Sequence, residues 1–353
     1  MKILHSADMH LKQVGDSRWQ ALEHLLDIAS DQASFFAISG DLFDRGIDAI
    51  QLKGPLRELF ARYHFPIIVV PGNHDAHAMA EGDYYGDHVT LICRSDQFFD
   101  FDSVRVFGLP FERIEGDRVI EKLIWIRQHT RENATNILLY HGELLDMVHA
   151  RDGFGDEDLA MYMPVRLSYF DGLGLDYVLA GHFHSSFEVR KFKDGYFVYP
   201  GSPVSITRKE HGVRKANLFE VGEQPMPIRL DTSYFEEIVV KLNPLSGEDP
   251  VAATERQLRN IDKNARVRVV VTGFVELAKL GKDERELHKE IGSLMTPEIE
   301  EFVQPWRDVS VILQSDLLDR CIGKLGARKL PADQAERVRG AIMESMMENQ
   351  DAY

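Results

Sequence analysis

The chain has 353 residues, a length that suits about two domains, and its 44% hydrophobic and 28% charged residues describe an ordinary globular composition with ample apolar material for a core. Its two cysteines, Cys93 and Cys321, form neither a metal-binding spacing nor a disulfide framework, and no stretch approaches the roughly 20 apolar residues that span a bilayer. The formal net charge of −16 repels polyanions at long range, so a nucleic-acid substrate would need a local basic patch, bound cations or a partner to approach.

In chain order, Ile3-Leu4 leads to Asp8-Met9-His10, too short an apolar run for a signal peptide. With so few cysteines, the expectation is a cytoplasmic protein with no membrane partner. A helical pattern covers 19–29. Apolar residues 35–38 then lead to Gly40-Asp41-Leu42-Phe43-Asp44, and a second helical pattern covers 52–63. Residues 67–70 lead to Gly72-Asn73-His74-Asp75, 137–140 to His141-Gly142, and 177–180 to Gly181-His182-Phe183-His184. Short continuous runs rich in β-branched residues read as buried strands. Their alternation with helices predicts a layered α/β fold, in which ligands gather beyond the carboxyl ends of the strands. The polar clusters stand at those ends. The acidic stretch 152–158 reads as a solvated loop.

Beyond His184 the pattern changes to strands at 187–189, 196–199 and 216–221, with a linker at 222–227. A smaller α+β unit follows, with strands at 237–242 and 267–272 and helices at 251–261 and 283–295. Two helical patterns, 315–325 and 331–347, close the sequence. On the first, Leu317, Leu318, Cys321, Ile322 and Leu325 form an apolar stripe, with Gly326 at the expected stop. Pro331 can open the second, where Val338, Ile342, Met343, Met346 and Met347 form another, adaptable stripe that suits a partner.

Taken singly, each polar cluster is ordinary. Asp8 and His10 are two apart, so in an extended segment they share a side and can chelate one cation. His182 and His184 are spaced alike. Gly-Asp is common turn chemistry. In combination, Asp8, His10, Asp41, Asn73, His141, His182 and His184 exceed what one metal needs, and without thiolates they suit Mn, Fe or Zn rather than a cysteine-based structural zinc. They suffice for two metals that share a carboxylate. His5 and His77 read as structural or supporting residues.

This ordered pattern resembles the calcineurin-like metallophosphoesterase superfamily over roughly residues 1 to 220. The resemblance implies a layered β-sandwich core flanked by helices over 1–224. It also implies two divalent transition metals, Mn first with Fe or Zn as alternatives. One would be held by Asp8, His10, Asp41 and His184, the other by Asp41, Asn73, His141 and His182, with Asp41 bridging. His74 matches the family's non-ligand catalytic histidine and Asp44 the carboxylate that orients it. Arg45 is a candidate for a substrate phosphate, and equally a solvated arginine. Two such cations can activate water near neutral pH and neutralise charge on a phosphoryl group.

The segment His5-Ser6-Ala7-Asp8-Met9-His10-Leu11 further resembles the opening of bacterial SbcD-type nucleases. Tyr199-Pro200-Gly201-Ser202-Pro203, Arg208-Lys209-Glu210 and Arg214-Lys215 are similar to their block after the last histidines. Lys12 departs from their usual glycine, and Asp44-Arg45-Gly46 is shared with phosphatases of the superfamily. This second resemblance implies a metal-dependent DNA exonuclease of double-strand-break repair. It implies an α+β capping domain at 230–312, and a helical region at 315–353 that binds an SbcC-type coiled-coil ATPase subunit. DNA and a second copy of the chain are the other partners it suggests. The alternative is a phosphodiesterase or phosphatase acting on a small molecule or a protein.

Overall fold

The computed structural model describes residues 1–75, 78–147, 163–328 and 330–350. His77 and the acidic stretch 152–158 lie outside the described residues, as does the side chain of Met347. The chain divides into two compact units, Met1–Phe235 and Glu236–Tyr353.

The first unit begins with β1 (Lys2–Ser6), α1 (Ser17–Gln32), β2 (Phe35–Ser39), α2 (Gly46–Phe60), β3 (Ile67–Val70) and β4 (Val89–Leu91). It continues through β5 (Phe98–Phe101), β6 (Val104–Leu109), α3 (Asp117–His129), β7 (Thr135–His141), β8 (Tyr177–Gly181), β9 (Glu188–Lys191), β10 (Tyr196–Tyr199), β11 (Lys215–Glu220) and β12 (Pro227–Arg229). Two six-stranded sheets result, in the orders β12-β11-β1-β2-β3-β4 and β5-β6-β7-β8-β10-β9. The inner strands β1, β2 and β3 run parallel, as do β6, β7, β8 and β10.

Alternation along each strand explains the layers. Ile3, Ala37, Ile68 and Val70 meet Val106, Ile137, Leu139 and Leu179 in a core shared by the two sheets. The intervening residues Leu4, Phe36, Ile38 and Val69 pack instead against Leu22 and Leu25 of α1 and Leu52 and Leu56 of α2. On the other sheet, Leu138, Tyr140 and Val178 pack against Val119, Leu123 and Ile126 of α3. Both faces of every central strand are therefore buried, which is why these strands read as continuous apolar runs. Each fully buried aliphatic side chain contributes about 1.5–3 kcal/mol. The result is the expected β-sandwich flanked by helices. The structure adds β4, β5, β6 and α3, which the sequence pattern did not single out, and β12 overlaps the end of the expected linker.

The second unit contains most of β13 (Tyr234–Leu242), then α4 (Pro250–Leu258), β14 (Ala265–Val275), α5 (Leu277–Leu280), α6 (Glu284–Gly292), β15 (Ile299–Val303) and β16 (Arg307–Asp308). It ends with α7 (Ser310–Leu313), α8 (Asp316–Ala327) and α9 (Ala332–Gln350). Strand β14 is central, pairing with β13, β15 and β16. Asp249 caps α4 and a capping box between Asp283 and Glu286 opens α6. Leu318 of α8 and Met343 of α9 are buried with Phe274, Val309 and Ile312, and Ile342 and Met346 pack against them. Much of the apolar stripe on α9 therefore serves this unit's own core.

Candidate metal centre

The backbone beyond the strand ends is strained where the candidate ligands stand. Among the described residues, the non-glycine positions with positive φ are Asp8 (55°), His10 (47°), Asp41 (50°), Asp102 (55°), Met163 (47°) and His182 (102°). Such conformations are costly for residues with a Cβ and cluster at functional sites. Four of these six positions belong to the candidate ligand set. Parallel segments share the constraint: Asp8 N donates to Gly40 O (3.0 Å), His10 N to Asp41 O (2.9 Å) and Leu11 N to Leu42 O (2.9 Å). Two glycines permit the approach. A Cβ on Gly40 would lie 2.0 Å from His141 Nδ1, and one on Gly72 2.1 Å from Asp41 Oδ1.

Asp8, His10, Asp41 and His184 are buried, and one ligand atom from each lies within 4.8 Å of all the others. His10 Nε2 and His184 Nε2 are 3.2 Å apart, His10 Nε2 is 3.7 Å from Asp41 Oδ2, and His184 Nε2 is 3.9 Å from Asp8 Oδ1. The other nitrogen of each ring faces a carboxylate: His184 Nδ1 lies 3.4 Å from Glu210, and His10 Nδ1 3.6 Å from Asp44. If those nitrogens carry the protons, two imidazole lone pairs and two carboxylates converge. Such acceptors repel unless protons or a cation lie among them. Asp41 Oδ2 is buried without a hydrogen-bond donor among the described residues. A buried carboxylate oxygen left so is expensive, and a cation would resolve it. The donor set therefore fits a divalent metal.

Asn73 and His141 join the cluster on the other side of Asp41. His141 Nε2 lies 2.9 Å from Asn73 Oδ1 and 3.3 Å from Asp41 Oδ2. Its Nδ1 donates to the main-chain oxygen of Ser39 at 2.9 Å, which fixes the tautomer, because a carbonyl can only accept. The His182 ring centroid is 5.5 Å from that of His141, and its amide donates to both oxygens of Asp8.

Electrostatics follow from crowding. Burial raises Asp8 to about 6, against the pull of His184 and His141. Burial also opposes charge on Asp41, yet His141, His10 and His74 hold it far below the ordinary carboxylate range. Burial pushes His141 down, but Asp41 and Asp8 carry it to about 10. Burial and His184 hold His10 well below its ordinary value. Without a cation, a proton on His141 neutralises the pair it makes with Asp41.

His74 stands at the rim. Its amide donates to Asp41 Oδ1 (2.9 Å) and its Nδ1 donates to the main-chain oxygen of Asp44 (2.6 Å). The Asp44 carboxylate is met by Arg18 Nη1 at 2.7 Å and Lys12 Nζ at 3.2 Å. The link from Asp44 to His74 thus includes the backbone, while the carboxylate meets Arg18 and Lys12 closely and Arg45 Nε at 4.0 Å. Arg45 is 66% exposed and forms a two-pronged bond with Asp48, 3.0 Å at each contact.

Supporting residues surround the ligands: His5 was expected in that role, while Arg18 and Asp75 escaped the sequence. Arg18 also donates to the main-chain oxygen of His10. Asp75, fully buried, accepts from the amides of Leu42, Phe43 and Gly72 and so ties the second and third loops together. His5 donates Nε2–H to Ser39 Oγ (3.1 Å), which in turn donates to Leu179 O (2.8 Å). Glu210 and Arg214 sit behind His184. Nothing in linear order signals these long-range bonds.

A sandwich of two sheets with a buried Asp/His cluster beyond the carboxyl ends of its strands is the architecture of a metal-dependent hydrolase. The chain belongs to the calcineurin-like phosphoesterase family, whose profile matches residues 1–186. No curated protein matches the chain in sequence. Family and cluster together make it a metal-dependent hydrolase of phosphoesters. No helix among the described residues is long and apolar enough to cross a membrane.

Proposed function

We propose that the chain is a two-metal DNA nuclease of SbcD type, cleaving phosphodiesters in double-strand-break repair. The observation that carries the two-metal reading is Asp41 Oδ2, which stands between His10 Nε2 (3.7 Å) and His141 Nε2 (3.3 Å) and, among the described residues, makes no well-aligned hydrogen bond. Asp8, His10, Asp41 and His184 would hold one metal, and Asp41, Asn73, His141 and His182 the other. When bound, manganese ions or related cations would activate water and neutralise charge on the phosphoryl group. The protein's own residues do the rest. His74 keeps its Nδ1 proton on the Asp44 oxygen, so Nε2 is the atom that can give a proton to the leaving alkoxide. Lys12 and Arg18 compensate the charge of Asp44 beside it.

The nuclease reading is supported by a second compact unit that follows the phosphoesterase core. A small-molecule diesterase needs no such addition. The region 230–312, most of which belongs to that unit, would cap the core toward DNA, and 315–353 would dock an SbcC-type ATPase subunit, which could also supply the positive surface that a −16 chain lacks. The net charge itself favours a small-molecule substrate. With Mn²⁺ present, linear duplex DNA, single-stranded DNA, bis-p-nitrophenyl phosphate and cyclic nucleotides should be compared side by side. We expect hydrolysis of DNA and of the synthetic diester. Turnover of small diesters with DNA left intact across a range of salt would replace this reading with the diesterase one.

A further inference from the structure

The family profile ends at residue 186, yet the residues that brace its last histidine come later. Glu210 is fully buried between β10 and β11. A lone buried carboxylate costs several kcal/mol, so it is stable only with donors around it. Its oxygens accept from Ile206 N (2.7 Å), Thr207 N (3.1 Å), Thr207 Oγ1 (3.1 Å) and Ser202 Oγ (3.1 Å). These donors make an ionised carboxylate stable there. The remaining contact, from Oε1, is to His184 Nδ1 at 3.4 Å.

The backbone of His184 is held as well. Arg214, 2% exposed, donates to the main-chain oxygens of His184, Ser185 (3.2 Å) and Ser202 (2.9 Å). Gly201, with φ +76°, lets this segment approach: a Cβ there would lie 3.0 Å from the His184 oxygen. One buried ion therefore fixes the main chain of His184 and another faces its ring.

We propose that Glu210 is the positioning residue for His184: its carboxylate accepts the Nδ1 proton and so turns a bare Nε2 toward a cation shared with Asp8, His10 and Asp41. The proposal rests on the metal centre described above. A carboxylate behind a ligating imidazole fixes ring and tautomer and raises the basicity of the ligand nitrogen. The bland alternative is that Glu210 only organises the loop that contains Ile206 and Thr207. Ser205 separates the two, because its hydroxyl donates to the main-chain oxygen of Glu210 (2.6 Å) and shapes the same loop without touching the carboxylate.

The full chain, Glu210→Gln and Ser205→Ala should each be titrated with Mn²⁺, following free ion by electron paramagnetic resonance, with circular dichroism as the check of folding. The expected result is two equivalents bound by the parent protein, with one weakened about 10–100-fold in Glu210→Gln and both unchanged in Ser205→Ala. In the metal-free parent, nitrogen-15 spectra of labelled histidine, with His184 assigned by its loss in His184→Gln, should place the proton on Nδ1. That measurement stands even if Glu210→Gln does not fold. A proton on Nε2, unchanged binding by Glu210→Gln, or equal weakening by Ser205→Ala would each overturn the role of Glu210 while leaving the metal centre. No Mn²⁺ binding by the parent protein would overturn the metal centre itself, and the role of Glu210 with it.

Discussion

At the scale of single residues, the site depends on which nitrogen of each histidine carries a proton. His74 and His141 both donate Nδ1–H to main-chain oxygens, so both present Nε2 outward. For His74 this predicts a division of labour that mutation can read. His74→Ala is expected to lower turnover of a nucleotide diester by about 10²–10⁴-fold with metal content retained. Asp44→Asn keeps the main-chain bond and is expected to cost less. Metal analysis and rates on good and poor leaving groups check this; loss of metal from His74→Ala would make it a ligand instead. His5 offers a pH test. Burial lowers it from 6.5 to about 3. Between those values the unfolded chain binds a proton that the folded chain does not, so stability falls as pH drops through the window, by at most about 1.4 kcal/mol per pH unit. Above 6.5 the effect vanishes. His5→Gln cannot titrate, so in denaturant melts its stability deficit against the parent should narrow from pH 7 to pH 5.

Elements show how much of this was legible in advance. Asp8, His10, Asp41, Asn73, His141, His182 and His184 could be located because each follows an apolar run, and a buried parallel strand must end in the polar residues that its loop presents. Strand β10 and helices α8 and α9 were found from the same periodicities. The strands β5 and β6 were not, since Phe98, Asp100, Arg105 and Phe107 mix aromatic and charged residues without a clean period. What joins distant segments was hidden altogether: Arg18 to Asp44, Asp75 to Leu42, Glu210 to His184. The helix α8 allows a direct prediction. Leu318 is 2% exposed and Leu317 54% exposed, although both belong to one apolar stripe in sequence. Leu318→Ala should therefore cost about 2–5 kcal/mol, measured by urea unfolding. Leu317→Ala should change stability by less than about 0.5 kcal/mol and, if an ATPase subunit docks on this face, weaken co-purification with it. Equal destabilisation by both would mean that the stripe is wholly internal.

For the molecule as a whole, the question is what the second unit adds to a core that already holds the chemistry. The boundary matters first. A cut near Pro225 would remove β12, which pairs with β11, and Leu230, which is buried against α1 and α2. It would damage the core and say little about the cap. Contacts place the division after Phe235 instead. A chain of residues 1–235 retains every candidate ligand, His74, Glu210 and Arg214, so it is expected to bind Mn²⁺ and hydrolyse bis-p-nitrophenyl phosphate at close to the intact rate. Duplex DNA is different. If the chain cleaves duplex DNA as proposed, its net charge of −16 requires cationic groups placed locally, and log affinity for DNA would then fall linearly with log salt. If the second unit supplies such contacts, its removal should lower duplex cleavage at least about tenfold, the loss that ~1.4 kcal/mol of binding represents, and flatten the salt dependence. Circular dichroism and the small diester together establish that the shortened chain is folded. Duplex cleavage equal to that of the intact chain, with the same salt slope, would assign DNA binding to the core and leave the second unit to partners alone.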